Sequence, residues 1–106
     1  MSQTPSRRPL DAREAQALQQ SLAGWQLTAD GKGIVRRYAF RDFDAAVEFV
    51  NRLAVVANRR DHHPDLKVGW GYCEVLFTTH AAGGLTALDG ELARETQAVF
   101  EAGPGH

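Results

Sequence analysis

The chain carries one cysteine, Cys73, which excludes an internal disulfide and any zinc site built on several thiolates. It also lacks a long apolar run. The longest, Leu53 to Ala57, falls far short of the ~20 residues a membrane helix needs. Neither sign of charge is in excess, since 12 Lys and Arg stand against 13 Asp and Glu, a net charge of -1 with histidine neutral. That balance removes the simplest case for a nucleic-acid or anionic-membrane binder. Gly-rich phosphate fingerprints and P-loops are missing, and 106 residues are too few for a βαβαβ nucleotide domain. Behind Arg7 and Arg8 there is no apolar stretch, so Met1–Pro9 does not read as a secretory signal. A cytoplasmic location is the expectation.

What is present is an ordinary globular composition, 43% hydrophobic and 24% charged. One domain is expected over residues 10–101, between a polar arm at 1–9 and a tail at 102–106. A domain this small buries only about 60–68% of its unfolded surface, so a second copy of the chain is expected to complete the core.

Asp11 followed by Glu14 has capping-box spacing and opens a helix with Ala15, Leu18 and Leu22 on one stripe, which Gly24 is expected to end at C′. Two strands follow, Trp25–Ala29 and Ile34–Phe40, joined by a turn over Asp30–Gly33. Arg36 and Arg37 interrupt the alternation of the second, and the sequence leaves open which of them faces inward. The strongest helix spans Phe43–Arg60 behind Asp42 as N-cap. Its stripe is Phe43, Ala46, Val47, Val50, Leu53, Ala54 and Ala57, widened by Phe49 and Val56. A face that wide points to more than one neighbour, another subunit among them. Leu66–Trp70 reads as a third strand, and Tyr72–Thr79 as a fourth with Cys73, Val75 and Phe77 on one face. Gly83 and Gly84 break the chain. Thr86 to Asp89 then opens a last helix with Leu88, Leu92, Val99 and Phe100. The order α-β-β-α-β-β-α with short connections defines an α+β two-layer sandwich.

His106 lies in the tail. The other three histidines, His62, His63 and His80, stand at element ends, where side chains can meet in a cleft. A polar helix end explains His62 and His63 equally well, capping explains Asp89, and Cys73 reads as a small buried hydrophobe. Metal ligation fits poorly: adjacent residues in extended chain point to opposite sides, and no HxH, HxxxH or HExxH spacing occurs. A nucleophile is equally hard to find, with no GxSxG elbow. General acid–base catalysis suits the residue types, because an imidazole with an unperturbed pKa near ~6.5 can both give and take a proton at neutral pH.

Asp61-His62-His63-Pro64-Asp65, Trp70, Thr78-Thr79-His80, Gly83-Gly84-Leu85-Thr86 and Asp89 together resemble the pterin-4a-carbinolamine dehydratases. Gly24-Trp25 and Phe40-Arg41-Asp42-Phe43 support the likeness, which spans Trp25 to Phe100. The resemblance implies a four-stranded antiparallel sheet with helices on one face and a dimer or tetramer. The activity it implies is dehydration of 4a-hydroxytetrahydropterin to quinonoid dihydropterin, in the tetrahydrobiopterin recycling that serves aromatic amino-acid hydroxylases. It implies no cofactor and no metal. By the same resemblance His62 and His80 are the acid–base groups and His63 positions the pterin, while Asp61 and Thr78, Thr79 and Ala81 contact it. Asp89 matches the signature as a capping and orienting residue. One departure is Asn58, where the family usually has an acidic residue. At i and i+4 on a helix it is expected beside His62, leaving a cationic His62 less favoured than in typical members. An alternative function is a non-catalytic protein-binding module, since animal members serve as dimerisation cofactors for a homeodomain transcription factor. Direct DNA binding is disfavoured, because Arg36, Arg37, Arg41, Arg52, Arg59 and Arg60 are dispersed among carboxylates.

Overall fold

A computed structural model of the chain describes residues 8–103. The expected arm up to Arg7, and the tail from 104 on with His106, lie outside the described residues.

Helix α1, Ala12–Gln20, starts on the expected capping box. Asp11 Oδ1 accepts from Glu14 N–H at 2.8 Å, and Glu14 Oε1 from Asp11 N–H at 3.0 Å. Hydrogen bonds from Arg8 and the Asp11 backbone hold the Glu14 carboxyl down at about 2. The helix stops earlier than Gly24 implied. Ser21 is its C-cap, and Gly24, with φ +85°, shapes the loop behind it, where a Cβ would strike the Arg36 guanidinium at 2.8 Å.

Strand β1 is only Gln26–Leu27, shorter than the expected Trp25–Ala29. Trp25 N–H is taken by Leu22 O at 3.2 Å. Beyond Leu27, Asp30 Oδ1 accepts from the Thr28 hydroxyl at 2.6 Å and from Lys32 N–H at 2.9 Å, so a side-chain-stapled turn begins at once. Strands β2 (Ile34–Ala39), β3 (Asp65–Gly69) and β4 (Tyr72–Phe77) complete an antiparallel sheet of order β1-β2-β4-β3. Helix α2 is Phe43–Arg60, a 3-10 turn spans His80–Ala82, and helix α3 is Ala87–Ala102.

The strand period assigns the two faces. Ile34, Tyr38, Cys73, Val75 and Phe77 are buried under the helices, while Val35, Arg37, Ala39, Tyr72, Glu74 and Leu76 line a face that no described helix covers. Register settles the arginine pair. Arg36 stands opposite Val75 on the inner face and donates to Ala23 O and Gln97 Oε1 at 2.9 and 2.7 Å. Arg37 points outward over the Tyr72 ring, 3.9 Å from its centroid.

Phe49, read from sequence as lying beside the main stripe of α2, is fully buried at its centre. It packs on Tyr38, Phe40 and Phe100, a burial that contributes roughly 3 kcal/mol. The sheet beneath α2 is rich in aromatics, and Phe49 is the helix residue large enough to reach them. Phe43, at the edge of the expected stripe, is 47% exposed, and Val55 is 56% exposed. Among the described residues no helix is long and apolar enough to cross a membrane.

Candidate active site

The end of α2 positions both adjacent histidines. Asp61 takes the left-handed conformation, φ 51° and ψ 43°. Its N–H returns to Asn58 O at 3.3 Å, and that of His62 to Ala57 O at 3.1 Å. This is a Schellman-type ending with aspartate where glycine is commonest. Helical spacing therefore ends before His62, and the expected Asn58–His62 pairing does not form. Asn58 Oδ1 lies 2.8 Å from His63 Nε2 instead.

Past Asp61 the chain is extended, and the two imidazoles diverge. His62 turns inward and is 8% exposed. Its ring lies nearly parallel to Phe77, centroids 6.1 Å apart, and its Nε2 is 2.6 Å from Asp89 Oδ1. Asp89 is fully buried. Its second oxygen, Oδ2, accepts from Thr86 N–H at 3.0 Å and from the Thr79 hydroxyl at 2.8 Å. Asp89 thus serves two elements at once: it caps the first turn of α3 and holds His62. No protein hydrogen bond among the described residues engages His62 Nδ1. Among the described residues no fully buried side-chain nitrogen lacks a partner, so the unpartnered Nδ1 retains access to solvent.

Thr79 follows β4 and forms a bridge with Gly84, Thr79 N–H to Gly84 O at 3.1 Å and Gly84 N–H to Thr79 O at 3.3 Å. The loop so closed begins with His80, which is exposed. One residue from the Asp89 network, His80 stands at the same end of the sheet as His62. His63 is exposed beside Asn58, Pro64 and Leu66 at a hollow of about 140 Å³. Asp61 and Ala81 are exposed. Thr78 points to the β1–β2 turn, its hydroxyl donating to Lys32 O at 2.6 Å. The structure thus gathers His62, Thr79 and Asp89, leaves His80 exposed one residue along the chain from Thr79, and directs the side chains of His63 and Thr78 elsewhere. Thr86 was not singled out for the site, although its capping-box spacing to Asp89 already placed it against that carboxylate.

Among the described residues no three His, Cys, Asp or Glu side chains gather as a metal cluster would require. A cleft of about 510 Å³ lies elsewhere, lined by Trp25, Arg36, Arg94 and Gln97 among others, with no histidine. Convergent acid–base chemistry marks the site more reliably than volume does.

Fold and site define a class: a small α+β protein whose buried histidine–carboxylate pair closes one end of an antiparallel sheet. The sequence profile of the family described as pterin 4 alpha carbinolamine dehydratase matches residues 8–99, and the chain belongs to that family. Relatives that bear the name "Putative pterin-4-alpha-carbinolamine dehydratase" include one from Paracoccus denitrificans and one from Halorhodospira halophila. The one from Paracoccus denitrificans is 44% identical over 80 residues, 76% of this chain and 75% of that protein. The one from Halorhodospira halophila is 41% identical over 91 residues, 86% and 84% of the two chains. A crystal structure titled transcriptional coactivator/pterin dehydratase, from Brucella melitensis, superposes with a TM-score of 0.80 at 33% identity, covering 87% of this chain and 98% of that one. A pterin dehydratase-like RuBisCO assembly factor of the alpha-carboxysome shares the fold, with a TM-score of 0.61 at 19% identity over 72% of this chain and 91% of that one.

Proposed function

We propose that this protein dehydrates 4a-hydroxytetrahydropterins by histidine acid–base catalysis. The observation that carries the reading is the His62–Asp89 pair, a nearly buried imidazole held on one nitrogen and open on the other. In the reaction N5 loses its proton and the freed electron pair forms the C4a=N5 bond. The C4a–O bond breaks, and the hydroxyl takes up a proton and leaves as water. Hydroxide is a poor leaving group, so one group must donate a proton while another accepts one. Two imidazoles at one sheet end, His62 and His80, have the chemistry for both tasks. His63 and Asp61, on the rim, orient the pterin, with Thr79 and Ala81 contributing through the loop. Thr78 joins that contact through its backbone, its hydroxyl being committed to Lys32 O. The physiological setting is tetrahydrobiopterin recycling beside an aromatic amino-acid hydroxylase, in the cytoplasm.

The active form is a homodimer or homotetramer. The support is the surface of α2, which leaves the large apolar side chains Phe43 and Val55 uncovered at two places along the helix.

Ultraviolet-monitored dehydration of freshly generated 4a-hydroxytetrahydropterin tests the activity. A folded protein giving only the buffer rate would refute it. The second reading, a protein-binding module, draws on the same α2 surface and on the coactivator title of the Brucella structure. A stoichiometric protein partner captured by a chain without dehydratase activity would favour it.

A further inference from the structure

We infer that Thr79 and Thr86 form a directed hydroxyl chain that fixes His62 as its Nε2–H tautomer and makes Nδ1 the atom that takes the proton. Proton counting at Asp89 leads to this. Thr86 N–H and the Thr79 hydroxyl both donate to Oδ2, so Oδ2 has no room for a proton of its own. Thr79 spends its single O–H on that bond. The 3.0 Å contact between the two threonine hydroxyls must then run from Thr86 to Thr79, since Thr79 has only lone pairs left to offer. Both hydroxyls are sealed from water, Thr79 at 3% and Thr86 at 0% exposure, so no solvent competes for either bond. A carboxyl proton could then sit only on Oδ1, and because a carboxyl is a far stronger acid than an imidazolium, Asp89 is the ionised partner and Oδ1 accepts. The 2.6 Å contact with His62 Nε2 is therefore an N–H donation. A neutral imidazole with its proton on Nε2 carries its lone pair on Nδ1, the nitrogen that opens to solvent.

Resting on the proposed dehydration, this assigns His62 the task of accepting the N5 proton at Nδ1 and leaves donation to the 4a-hydroxyl to His80. Thr79 acts through Asp89 and touches no reacting atom, so it is a positioning residue. If it turned away, the carboxylate would lose one of the two donors that fix its plane, and the imidazole would lose its preference between tautomers.

Long-range 1H–15N correlation spectra of the labelled full chain, taken at a pH where His62 is neutral, test the inference without any pterin. The expected wild-type pattern is a protonated Nε2 and an unprotonated Nδ1, and a proton on Nδ1 overturns the inference. In Thr79→Val the Nδ1–H form should become a visible minority, and kcat should fall about 10-fold with KM little changed. Thr79→Ser should restore both readouts. A folded Thr79→Val with the wild-type tautomer pattern overturns the role of Thr79. Should that variant fail to fold, Thr79→Cys makes the same comparison with a weak donor of similar volume. Because the tautomer is read in the free protein, absence of dehydratase activity would refute only the proposed reaction, and a wrong tautomer only this inference.

Discussion

Asn58 and His63 are partners across the end of α2, the amide oxygen of one 2.8 Å from Nε2 of the other. Sequence spacing had paired Asn58 with His62. The left-handed turn at Asp61 moves the partnership one residue along the chain.

The effect of an acidic residue at position 58 therefore falls on His63. In Asn58→Asp a carboxylate would stand beside that imidazole and favour its cation. By NMR titration the His63 midpoint should rise in the variant while that of His62 stays. A rise at His62 alone would show that the two side chains meet in solution in a way the fold does not allow.

Removing the Asp89 carboxylate should be costly well beyond any catalytic effect. Asp89→Ala leaves the Thr79 hydroxyl, Thr86 N–H and His62 Nε2 facing an empty space. Stranding buried donors of a charged acceptor costs about 3 kcal/mol. Denaturant unfolding should show that loss, and a variant as stable as wild type would mean that water replaces the carboxylate.

High pH should destabilise the molecule. Burial pushes the Tyr38 hydroxyl up to about 12. Burial, with the Glu74 charge adding to it, pushes the Cys73 thiol up to about 11. Both pKa values are raised on folding, so the unfolded chain releases these protons first. Stability is then intact below about pH 9 and declines as pH climbs toward 12. Unfolding at pH 8 and pH 11 checks this, and Cys73→Ala should flatten the first part of the decline. The same burial predicts that native Cys73 reacts with an aromatic disulfide reagent far more slowly than the unfolded thiol.

Gly90 sits where α3 meets α1, and a Cβ there would fall 2.5 Å from Leu18 Cδ1. Alanine would gain about 1 kcal/mol of helix propensity but overpack a close contact at a cost of about 1–3 kcal/mol. The expected result is a net loss of about 1 kcal/mol, read as a lower Tm. Gly90→Ala combined with Leu18→Ala should recover the propensity gain, because the overlapping atom is then gone.

Periodic elements were legible in the sequence. Helix α2 spans the expected residues because its N-cap and its apolar repeat agree. Strand β4 shows its buried face through Cys73, Val75 and Phe77. Strand β1 was overdrawn because β-propensity does not see a turn built by Thr28 and Asp30 side chains. Phe49 was misplaced because a helix apolar on most sides does not say which stripe meets the sheet. His62 and Asp89 enter through the family resemblance, and the structure brings them 2.6 Å apart. The hydroxyl of Thr79 meets that of Thr86 through the Thr79–Gly84 bridge, a closure that no local pattern encodes. The Asn58 pairing failed for a related reason: one non-glycine residue with positive φ cancelled the helical spacing on which it rested.

The two tryptophans occupy opposite extremes, Trp25 at 1% exposure and Trp70 at 72%. Iodide added to the native protein would meet one indole and miss the other, so the fluorescence divides into a surface signal and a core signal. With Trp70→Phe the remaining emission comes from an indole 6.1 Å from Phe77, whose far neighbour is the His62 ring at the same separation. The chain thereby carries its own optical probe, set one aromatic ring away from the imidazole whose chemistry matters most.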